Sequence, residues 1–393
     1  MKPSGSELAA LWAHHHGELR DPHQVIVQWQ QAAATDPDLL RFRVRGRFWE
    51  ALEATGQTLV VTREYEHIVV ALHAARGRPR VSYLRVPHPS GLAVDRRRRR
   101  LLLASTRNPN MIVDLVPARR FLKSAGTQAA RELGSALLPV SCRYLPGGLY
   151  LHDLAVIGGR LFGNAVAMNA VVELPPEGGF RPAWWPECID GPRGPRFDRN
   201  YLQLNSIAAG RTLKESYFSA SAATPSARRP GHRNFAVEGR GVLFWGKTRA
   251  VVATGLTRPH SARFGGRTLW VANSGHGELG RIVDGRFHPL LRLPGWTRGL
   301  CIHRGVAFVG TSRVIPRFRA YAPGLHPDRC ESGVHAVELK TGRIVGSLVW
   351  PRGNQIFAVE LTGAVHTIGF PFRVGGPTAP AKIREFFFKA TAG

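Results

Sequence analysis

The sequence predicts an all-β protein, a six-bladed β-propeller with a short helical N-terminal extension. Six related phrases recur along its 393 residues, each a polar residue, a small or polar residue and a short apolar run. The polar residues that open them, called marker residues below, are Ser90, His152, Asn205, His260, Arg298 and Gln355. They lie 62, 53, 55, 38 and 57 residues apart, which is the spacing expected of blades whose loops vary in length.

We place each marker residue at the start of an innermost strand, where it faces the central channel. Between the phrases, β-rich runs with a period of two are separated by turn residues. Three such runs, at residues 58–62, 67–72 and 81–84, precede the first phrase. We expect them to complete the last blade, whose inner strands come from the C-terminal end, because this closure removes free sheet edges.

The two ends of the chain differ from the propeller in pattern. Apolar residues at helical spacing predict a helical leader over residues 1–55. The propeller is predicted to occupy residues 56–375. Residues 376–393 form an irregular tail, in which Phe386, Phe387 and Phe388 are expected to dock on the surface.

The net charge of +27 indicates a general attraction to anionic partners. Its distribution does not predict a specific nucleic-acid interface, because only 7 of the 54 basic residues are lysines and the arginines are spread through the chain, as GC-rich coding would give. The densest run, residues 96–100, falls where a turn between two strands is expected. The alternative for this run is a polyanion-binding patch.

Other bulk features point to an ordinary intracellular protein. No apolar run reaches the roughly 18 residues that a membrane-spanning helix needs. The first residues lack the basic, apolar and small-residue regions of a secretory signal, so we expect a cytoplasmic protein. The four cysteines lie far apart, without the spacing of a zinc site, and are expected to be reduced core thiols.

Two long insertions interrupt the blades. Residues 180–200 carry Trp184 and Trp185 beside a loop rich in Gly, Pro and Arg, and residues 219–234 are rich in Ser, Ala and Arg. Long loops in compact domains often form lids or binding elements. We therefore expect Trp184 and Trp185 to contact a substrate or partner.

Five phrases of the sequence resemble an uncharacterised bacterial β-propeller family, the domain of unknown function DUF4915. They occur in order at residues 62–67, 87–95, 105–110, 258–261 and 295–300, and the resemblance covers roughly residues 45–375. It implies the fold and no activity. The layout is also distantly similar to the gluconolactonase and senescence-marker lactonase propellers, which hold a divalent metal with carboxylate and amide oxygens, but their glutamate has no counterpart here. Carotenoid oxygenases use four axial histidines, of which the marker positions here supply two.

The histidines among the marker residues suggest a metal site. His152 and His260 are one blade apart and are expected to converge with Asn205 at one mouth of the channel. Two imidazoles and an oxygen donor can hold a divalent transition ion such as Zn, Fe or Cu. Asp153 is expected to orient an imidazole or add a ligand, and His88 is the candidate third imidazole. In the alternative, the axial histidines only form hydrogen bonds across the channel.

Arg298 is the strongest candidate for binding a substrate. A guanidinium aimed at the channel suits a carboxylate, sulfate or phosphate; the alternative is a structural ion pair with Asp153. Ser90, Asn205 and Gln355 complete the expected lining of the pocket. No Gly-x-Ser-x-Gly elbow surrounds Ser90, so it carries no nucleophile signature.

Two functions remain open from the sequence. The first is a metal-dependent enzyme that acts hydrolytically or oxidatively on a small anionic or peptide substrate, with Arg298 and Asp153 as catalytic candidates. The second is a non-catalytic propeller that binds a peptide, sugar or protein. The fold alone does not choose between them.

Overall fold

The computed structural model describes residues 22–107, 109–118, 120–121, 135–226, 228, 230, 232, 234–374 and 390–391. Six antiparallel sheets form a six-bladed β-propeller. Two further sheets of two short strands each, Asp190–Gly191 with Gly194–Pro195 and Arg120–Phe121 with Ala390–Thr391, lie outside the blades. The predicted fold class is therefore confirmed.

Blades 1 to 4 each run from the inner strand outwards in chain order. Blade 1 contains Pro89–Asp95, Arg100–Ser105, Met111–Pro117 and Leu137–Tyr144. Blade 2 contains Leu151–Ile157, Arg160–Ala165, Ala170–Glu173 and Arg181–Trp184. Blade 3 contains Leu204–Ala208, Tyr217–Ala220, Gly241–Trp245 and Val251–Leu256. Blade 4 contains Pro259–Gly265, Thr268–Asn273, Glu278–Val283 and Arg286–Arg292.

Blades 5 and 6 both combine strands from the two ends of the chain. Blade 5 contains Trp296–His303, Val306–Ser312, Ser332–Glu338 and Arg343–Trp350, and Arg43–Gly46 adds an outermost fifth strand. Blade 6 starts with Ala358–Leu361, continues with Leu59–Arg63, Ile68–Ala75 and Arg78–Arg85, and ends with Phe372–Arg373. The ring is thus closed by pairing that joins residues about three hundred positions apart, as the run of strands before Ser90 predicts.

The α-helices within the described part are Pro22–Ala33 and Phe48–Glu53. Short 3₁₀ helices occupy Pro37–Leu40, Glu64–Glu66, Val166–Met168, Glu187–Ile189, Leu213–Glu215, Ser274–His276, Pro316–Tyr321 and Pro327–Arg329. The helix at Phe48 packs its buried Phe48 and Leu52 on blade 5, where the Phe48 ring lies 6.2 Å from Phe308. Gly346 permits this approach, because a Cβ there would lie 2.2 Å from the Phe48 backbone nitrogen.

The fold adds one element that the sequence analysis does not foresee. Residues 43–46 lie inside the expected helical leader, yet they form the outer strand of blade 5. The expected helix near residues 8–19 and the docking of Phe386, Phe387 and Phe388 fall outside the described residues. The arginine run at residues 96–100 does form the turn between the first two strands of blade 1. In the part of the chain that the structure describes, no helix is both long enough and apolar enough to cross a bilayer.

Residues at the position after the marker residue of blades 1 to 4 hold neighbouring inner strands together. Ser206 Oγ accepts from the Ala262 backbone N–H at 2.8 Å, and Ser261 Oγ accepts from the Gly299 N–H at 2.8 Å. Gly91 holds the same position in blade 1, where a Cβ would lie 2.7 Å from the Asp153 Cα. These contacts hold the first five inner strands close together around the channel.

Candidate functional site

The marker residues lie at irregularities in the inner strands. In each of blades 1 to 5 the pairing of the inner strand with its neighbour shifts register next to the marker residue, as between Leu151 and Leu154 or between Thr297 and Leu300. A β-bulge re-aims the side chains beside it. All six marker residues are buried.

A second ring of residues precedes the marker residues by two positions. His88, Tyr150, Gln203, Arg258 and Gly353 all have positive φ, at 42°, 55°, 51°, 52° and 101°. Non-glycine residues rarely adopt this backbone conformation, and where they do it often belongs to a functional region. The turn comes just before each inner strand, and Tyr150, Gln203 and Arg258 line the cavity described next.

A cavity of about 840 Å³, called the mouth cavity below, opens where the inner strands begin. The marker residues His152, His260, Arg298 and Gln355 line it. A smaller cavity of about 10 Å³, bordered by His152, Asn205, His260 and Arg298, lies next to it along the channel. The sequence prediction that His152, Asn205 and His260 come together at one end of the channel agrees with this geometry.

Two buried guanidinium groups face the mouth cavity. Arg258 and Arg298 are 3% and 5% exposed, and neither lies within 4 Å of a carboxylate among the described residues. Burial lowers the pKa of Arg258 to about 10, and it lowers the pKa of Arg298 as well. Arg258 packs its guanidinium over the Tyr321 ring at 4.4 Å, and Arg298 packs over the Phe357 ring at 3.3 Å. Aromatic faces attract cations but do not neutralise them.

Arg298 is held in place by a chain of polar groups from blade 6. The amide orientation of Gln355 that satisfies both of its ends accepts from Arg298 Nη1 at 2.8 Å and donates to Glu64 Oε2 at 2.8 Å. Thr106 Oγ1 donates to Glu64 Oε1 at 2.5 Å. Burial raises the pKa of the Glu64 carboxyl, while Thr106 and Arg298 act in the opposite direction.

The two axial histidines carry their protons on different nitrogens. His260 Nδ1 lies 2.8 Å from the Arg258 carbonyl oxygen, which can only accept, so the proton is on Nδ1 and Nε2 has a free lone pair. His152 Nδ1 lies 3.4 Å from Arg298 Nη2, which can only donate, so His152 carries its proton on Nε2. The mouth cavity is therefore lined by one imidazole acceptor and one imidazole donor.

Both imidazoles are kept neutral. Burial, reinforced by Arg298 and Arg258, lowers the pKa of His152 and of His260 well below 6.5. Asn205 is close enough to His152 to oppose this shift in part. Even so, neither His152 Nε2 nor Asn205 Oδ1 completes a hydrogen bond with a described residue.

These residues do not fit a transition-metal centre. Within the described ranges, no group of three or more His, Cys, Asp and Glu side chains is placed to hold a metal ion. His152 Nδ1 faces a guanidinium, and the nearby arginines repel a cation. His88, the expected third imidazole, packs 4.3 Å from the His67 ring, and burial lowers its pKa to about 3. We therefore assign no chemistry to a metal here.

Asp153 has a different role from the one expected of it. Its carboxylate binds Arg263 through two hydrogen bonds of 2.7 and 2.9 Å, and it accepts from the Ile207 backbone N–H at 2.9 Å. It occupies the position after a marker residue, like Ser206 and Ser261, and fastens blade 2 to blade 3. Asp153 pairs with Arg263 and not with Arg298, and it forms no hydrogen bond to His152 or His260.

The tryptophans of the first insertion lie away from the mouth cavity. Trp184 is 5% exposed, stacks on Phe218 at 3.9 Å and donates from Nε1 to the Gly246 carbonyl. Trp185 Nε1 donates to Asp190 Oδ1 at 2.8 Å. Their apolar area packs blades 2 and 3, and neither residue lines the mouth cavity. The following part of the same insertion, residues 197–200, does line the cavity.

Ser90 and Asn205, which were also expected to line the pocket, form hydrogen bonds to neighbouring blades instead. Ser90 is fully buried and does not border the mouth cavity; its backbone carbonyl accepts from Thr62 Oγ1 at 2.8 Å. Asn205 Nδ2 donates to the Pro259 carbonyl at 2.9 Å and so ties blade 3 to blade 4. Asn205 also borders the small cavity, and its side-chain oxygen has no hydrogen-bond partner among the described residues.

Sequence reasoning missed Arg258, Trp296 and the loop at residues 314–331. Arg258 and Trp296 precede marker residues by two positions, so the repeat that located His260 and Arg298 could have found them. The loop joins two strands of blade 5 and brings Phe318 within 5.3 Å of Trp296. Nothing in the repeat indicates it, because it is an insertion that only the tertiary structure brings over the mouth.

Solved structures of other proteins align with this chain. A chain of a crystallised nidogen/laminin complex aligns at a TM-score of 0.51 and 11% identity, over 78% of this chain and 98% of that one. A gluconolactonase from Xanthomonas campestris aligns at 0.43 and 14%, over 82% and 92%. The calcium-binding protein regucalcin from Agrobacterium tumefaciens aligns at 0.42 and 11%, over 66% and 73%. At 11% identity the likeness to the nidogen/laminin chain is one of fold alone.

No curated protein sequence matches the chain. Residues 46–368 match the family described as domain of unknown function (DUF4915). Because that match covers most of the chain, this protein is a member of the DUF4915 family.

Proposed function

We propose that this protein binds a small organic anion in the mouth cavity, with Arg258 and Arg298 as the anion-binding residues. One observation carries the proposal: two guanidinium groups are buried at the same cavity without a carboxylate within 4 Å among the described residues. A buried charge is costly unless it is paired. An anionic ligand would supply the missing partner.

The other charges at the cavity support this assignment because they are already paired. Arg107 Nε lies 4.0 Å from Glu64, and Arg199 Nε lies 3.6 Å from Asp198. Arg298 reaches Glu64 only through Gln355. The cavity therefore keeps an excess of positive charge, and it is concentrated at its most buried point, where electrostatic attraction is least screened.

The size and walls of the cavity favour a small molecule with an apolar part. Its volume of about 840 Å³ lies within the range of small-molecule sites, about 300 to 1,000 Å³. One wall is aromatic, with Trp296, Phe318 and Tyr321 in mutual contact at 5.3 and 5.6 Å. Such a wall can pack against the body of a ligand whose charged group binds the arginines.

A reaction on the bound anion is the second candidate, favoured by His260. Its Nδ1–H is fixed by the Arg258 carbonyl, which leaves Nε2 as a proton acceptor at the cavity. A neutral imidazole can accept a proton as a general base, and a bound anion would favour this by offsetting the arginine charges that lower the pKa of His260. The residues at the cavity do not support a reaction that depends on a bound metal. Elemental analysis of protein purified without chelators tests it: a stoichiometric transition metal, lost in His152→Ala with His260→Ala, would revive it.

Calorimetric titration with small anions tests the binding proposal. Arg258→Gln and Arg298→Gln should each weaken binding by about tenfold or more, because a hydrogen bond to a charged group contributes about 1.5 to 3 kcal/mol. Arg160→Gln is the matched control, since it removes one positive charge from an exposed pair with Glu173. Equal affinity in all three variants would show that the mouth cavity is not the anion site.

A further inference from the structure

The mouth cavity contains hydrogen-bond donors that its own residues leave unsatisfied. Arg258 Nε and Trp296 Nε1 are buried nitrogens without a partner among the described residues. Both residues line the cavity and are at least nine-tenths buried. His152 Nε2 is not counted with them, because His152 interacts with the Asn205 side chain. A buried donor left without an acceptor costs about 1 to 3 kcal/mol, so two of them beside two guanidinium groups indicate a bound acceptor.

These donors come from two neighbouring blades. Arg258 precedes the inner strand of blade 4, and Trp296 begins that of blade 5, which also carries Arg298. A carboxylate offers two oxygens in one plane, which one guanidinium can satisfy. Two guanidinium groups and an indole N–H fit a group that offers more than two oxygens.

The charge of the site sets a second requirement. Arg258 and Arg298 provide two positive charges that no described carboxylate neutralises by direct contact. A phosphate monoester carries about −1.5 to −2 at neutral pH. A sulfate ester or a monocarboxylate carries only −1, so the phosphate monoester matches the charge best.

We infer that the ligand of the mouth cavity is a small phosphate monoester, bound through its tetrahedral dianionic group by Arg258, Arg298 and Trp296 Nε1. This inference rests on the proposed function, because it names the class of anion that the same site takes. The aromatic wall formed by Phe318 and Tyr321 then contacts the organic part of the ester.

Three probes with one phenyl ring and different charged groups test this inference. Phenyl phosphate, phenyl sulfate and benzoate are titrated calorimetrically into the full-length protein at pH 7.5. We expect phenyl phosphate to bind at least about tenfold more tightly than the other two, as one additional charged hydrogen bond would give. Its affinity should fall as the pH drops below about 6, where the second phosphate ionisation is reversed, whereas the affinity for phenyl sulfate should not.

Trp296→Phe separates the donor from the aromatic wall, because it removes Nε1–H and keeps a ring. Phenyl phosphate binding should weaken by about tenfold, and benzoate binding should change less. Trp245→Phe is the control, since Trp245 stacks on Tyr217 in blade 3 and does not line the cavity. Thermal melting shows whether both variants are folded. An unchanged affinity of folded Trp296→Phe for phenyl phosphate overturns the assigned donor set.

The failure of this inference is distinguishable from that of the proposed function. If phenyl sulfate or benzoate binds as tightly as phenyl phosphate, the phosphate assignment is wrong and the anion site stands. If none of the three probes binds, or if all bind equally well to Arg258→Gln with Arg298→Gln, both proposals are wrong.

Discussion

Two regions of the channel use buried arginines in opposite ways. Arg263 lies on the inner strand of blade 4 and forms a two-fold hydrogen-bonded ion pair with Asp153 of blade 2. Burial alone would lower the pKa of Arg263, but Asp153 outweighs this and the pKa is raised. At the mouth cavity burial prevails, and the pKa values of Arg258 and Arg298 are lowered.

The difference separates an arginine that holds the fold together from the two arginines that we propose as the anion site. Arg263 has its partner inside the protein, and that partner also fastens blade 2 to blade 3 through the Ile207 N–H. Arg258 and Arg298 have aromatic faces and amides but no directly contacting carboxylate among the described residues. The same residue type therefore serves stability at a partly buried position and, in the proposed function, recognition at two buried ones.

The largest effect should come from breaking the internal pair. Asp153→Ala leaves Arg263 buried without its partner, which typically costs about 3 to 5 kcal/mol. Arg258→Met removes an unpaired buried charge and should change the free energy of unfolding by about 1 kcal/mol or less. Denaturant titrations of the ligand-free proteins measure both. If Arg258→Met is as destabilising as Asp153→Ala, the distinction between the two regions is lost.

A smaller effect is expected from Glu360, which lies at the far end of the channel. There a cavity of about 450 Å³ is lined by Arg263, Glu360 and two residues of the arginine turn, Arg96 and Arg97. Burial raises the pKa of Glu360 to about 7. The folded protein therefore holds a proton that the unfolded chain releases near 4.5, and stability from this group falls as the pH rises between these two values.

Glu360→Gln should remove that penalty. At pH 8 we expect a gain of about 1 to 3 kcal/mol in the free energy of unfolding, allowing for the partial exposure of the side chain. At pH 4.5 the gain should nearly vanish, because the wild-type carboxyl is then protonated in the folded state and half protonated in the unfolded one. A gain that does not depend on pH would show that Glu360 affects stability by some other means.

The smallest predicted effect is an uptake of protons when the mouth cavity binds its anion. Arg298 and Arg258 both help to lower the pKa of His152 and His260, after burial itself. A bound anion offsets these charges, so the two pKa values should rise and the complex should take up a fraction of a proton near pH 6. Calorimetry with phenyl sulfate, in buffers of different ionisation enthalpy, measures it. Zero uptake, or release, would contradict the assigned electrostatics.

The sequence repeat predicted the six-bladed propeller, because the geometry of each blade is local and recurs along the chain. A polar residue at the start of each inner strand is visible in the sequence, and His152, His260, Arg298 and Gln355 do meet at the mouth cavity. The sequence does not show which arginine pairs with Asp153. Arg263 is 110 residues away, and its pairing in place of Arg298 depends on the direction in which each side chain leaves its strand at the bulge.

Trp184 shows a second limit of sequence reasoning. An adjacent pair of tryptophans in a long loop resembles a binding element, yet Trp184 is the last residue of the outer strand of blade 2 and packs on Phe218 of blade 3. Composition alone does not distinguish an aromatic residue that packs from one that binds. The metal site remains a prediction for a related reason, since the sequence indicates where the two histidines lie but not that the Arg298 guanidinium faces His152 Nδ1.

A crystal structure of the protein with phenyl phosphate tests the central claim most directly. The account predicts that the phosphate oxygens lie in the mouth cavity, within hydrogen-bond distance of both Arg258 and Arg298. A phosphate bound instead at the far end of the channel, beside Arg96 and Arg97, with the mouth cavity unchanged, would contradict it.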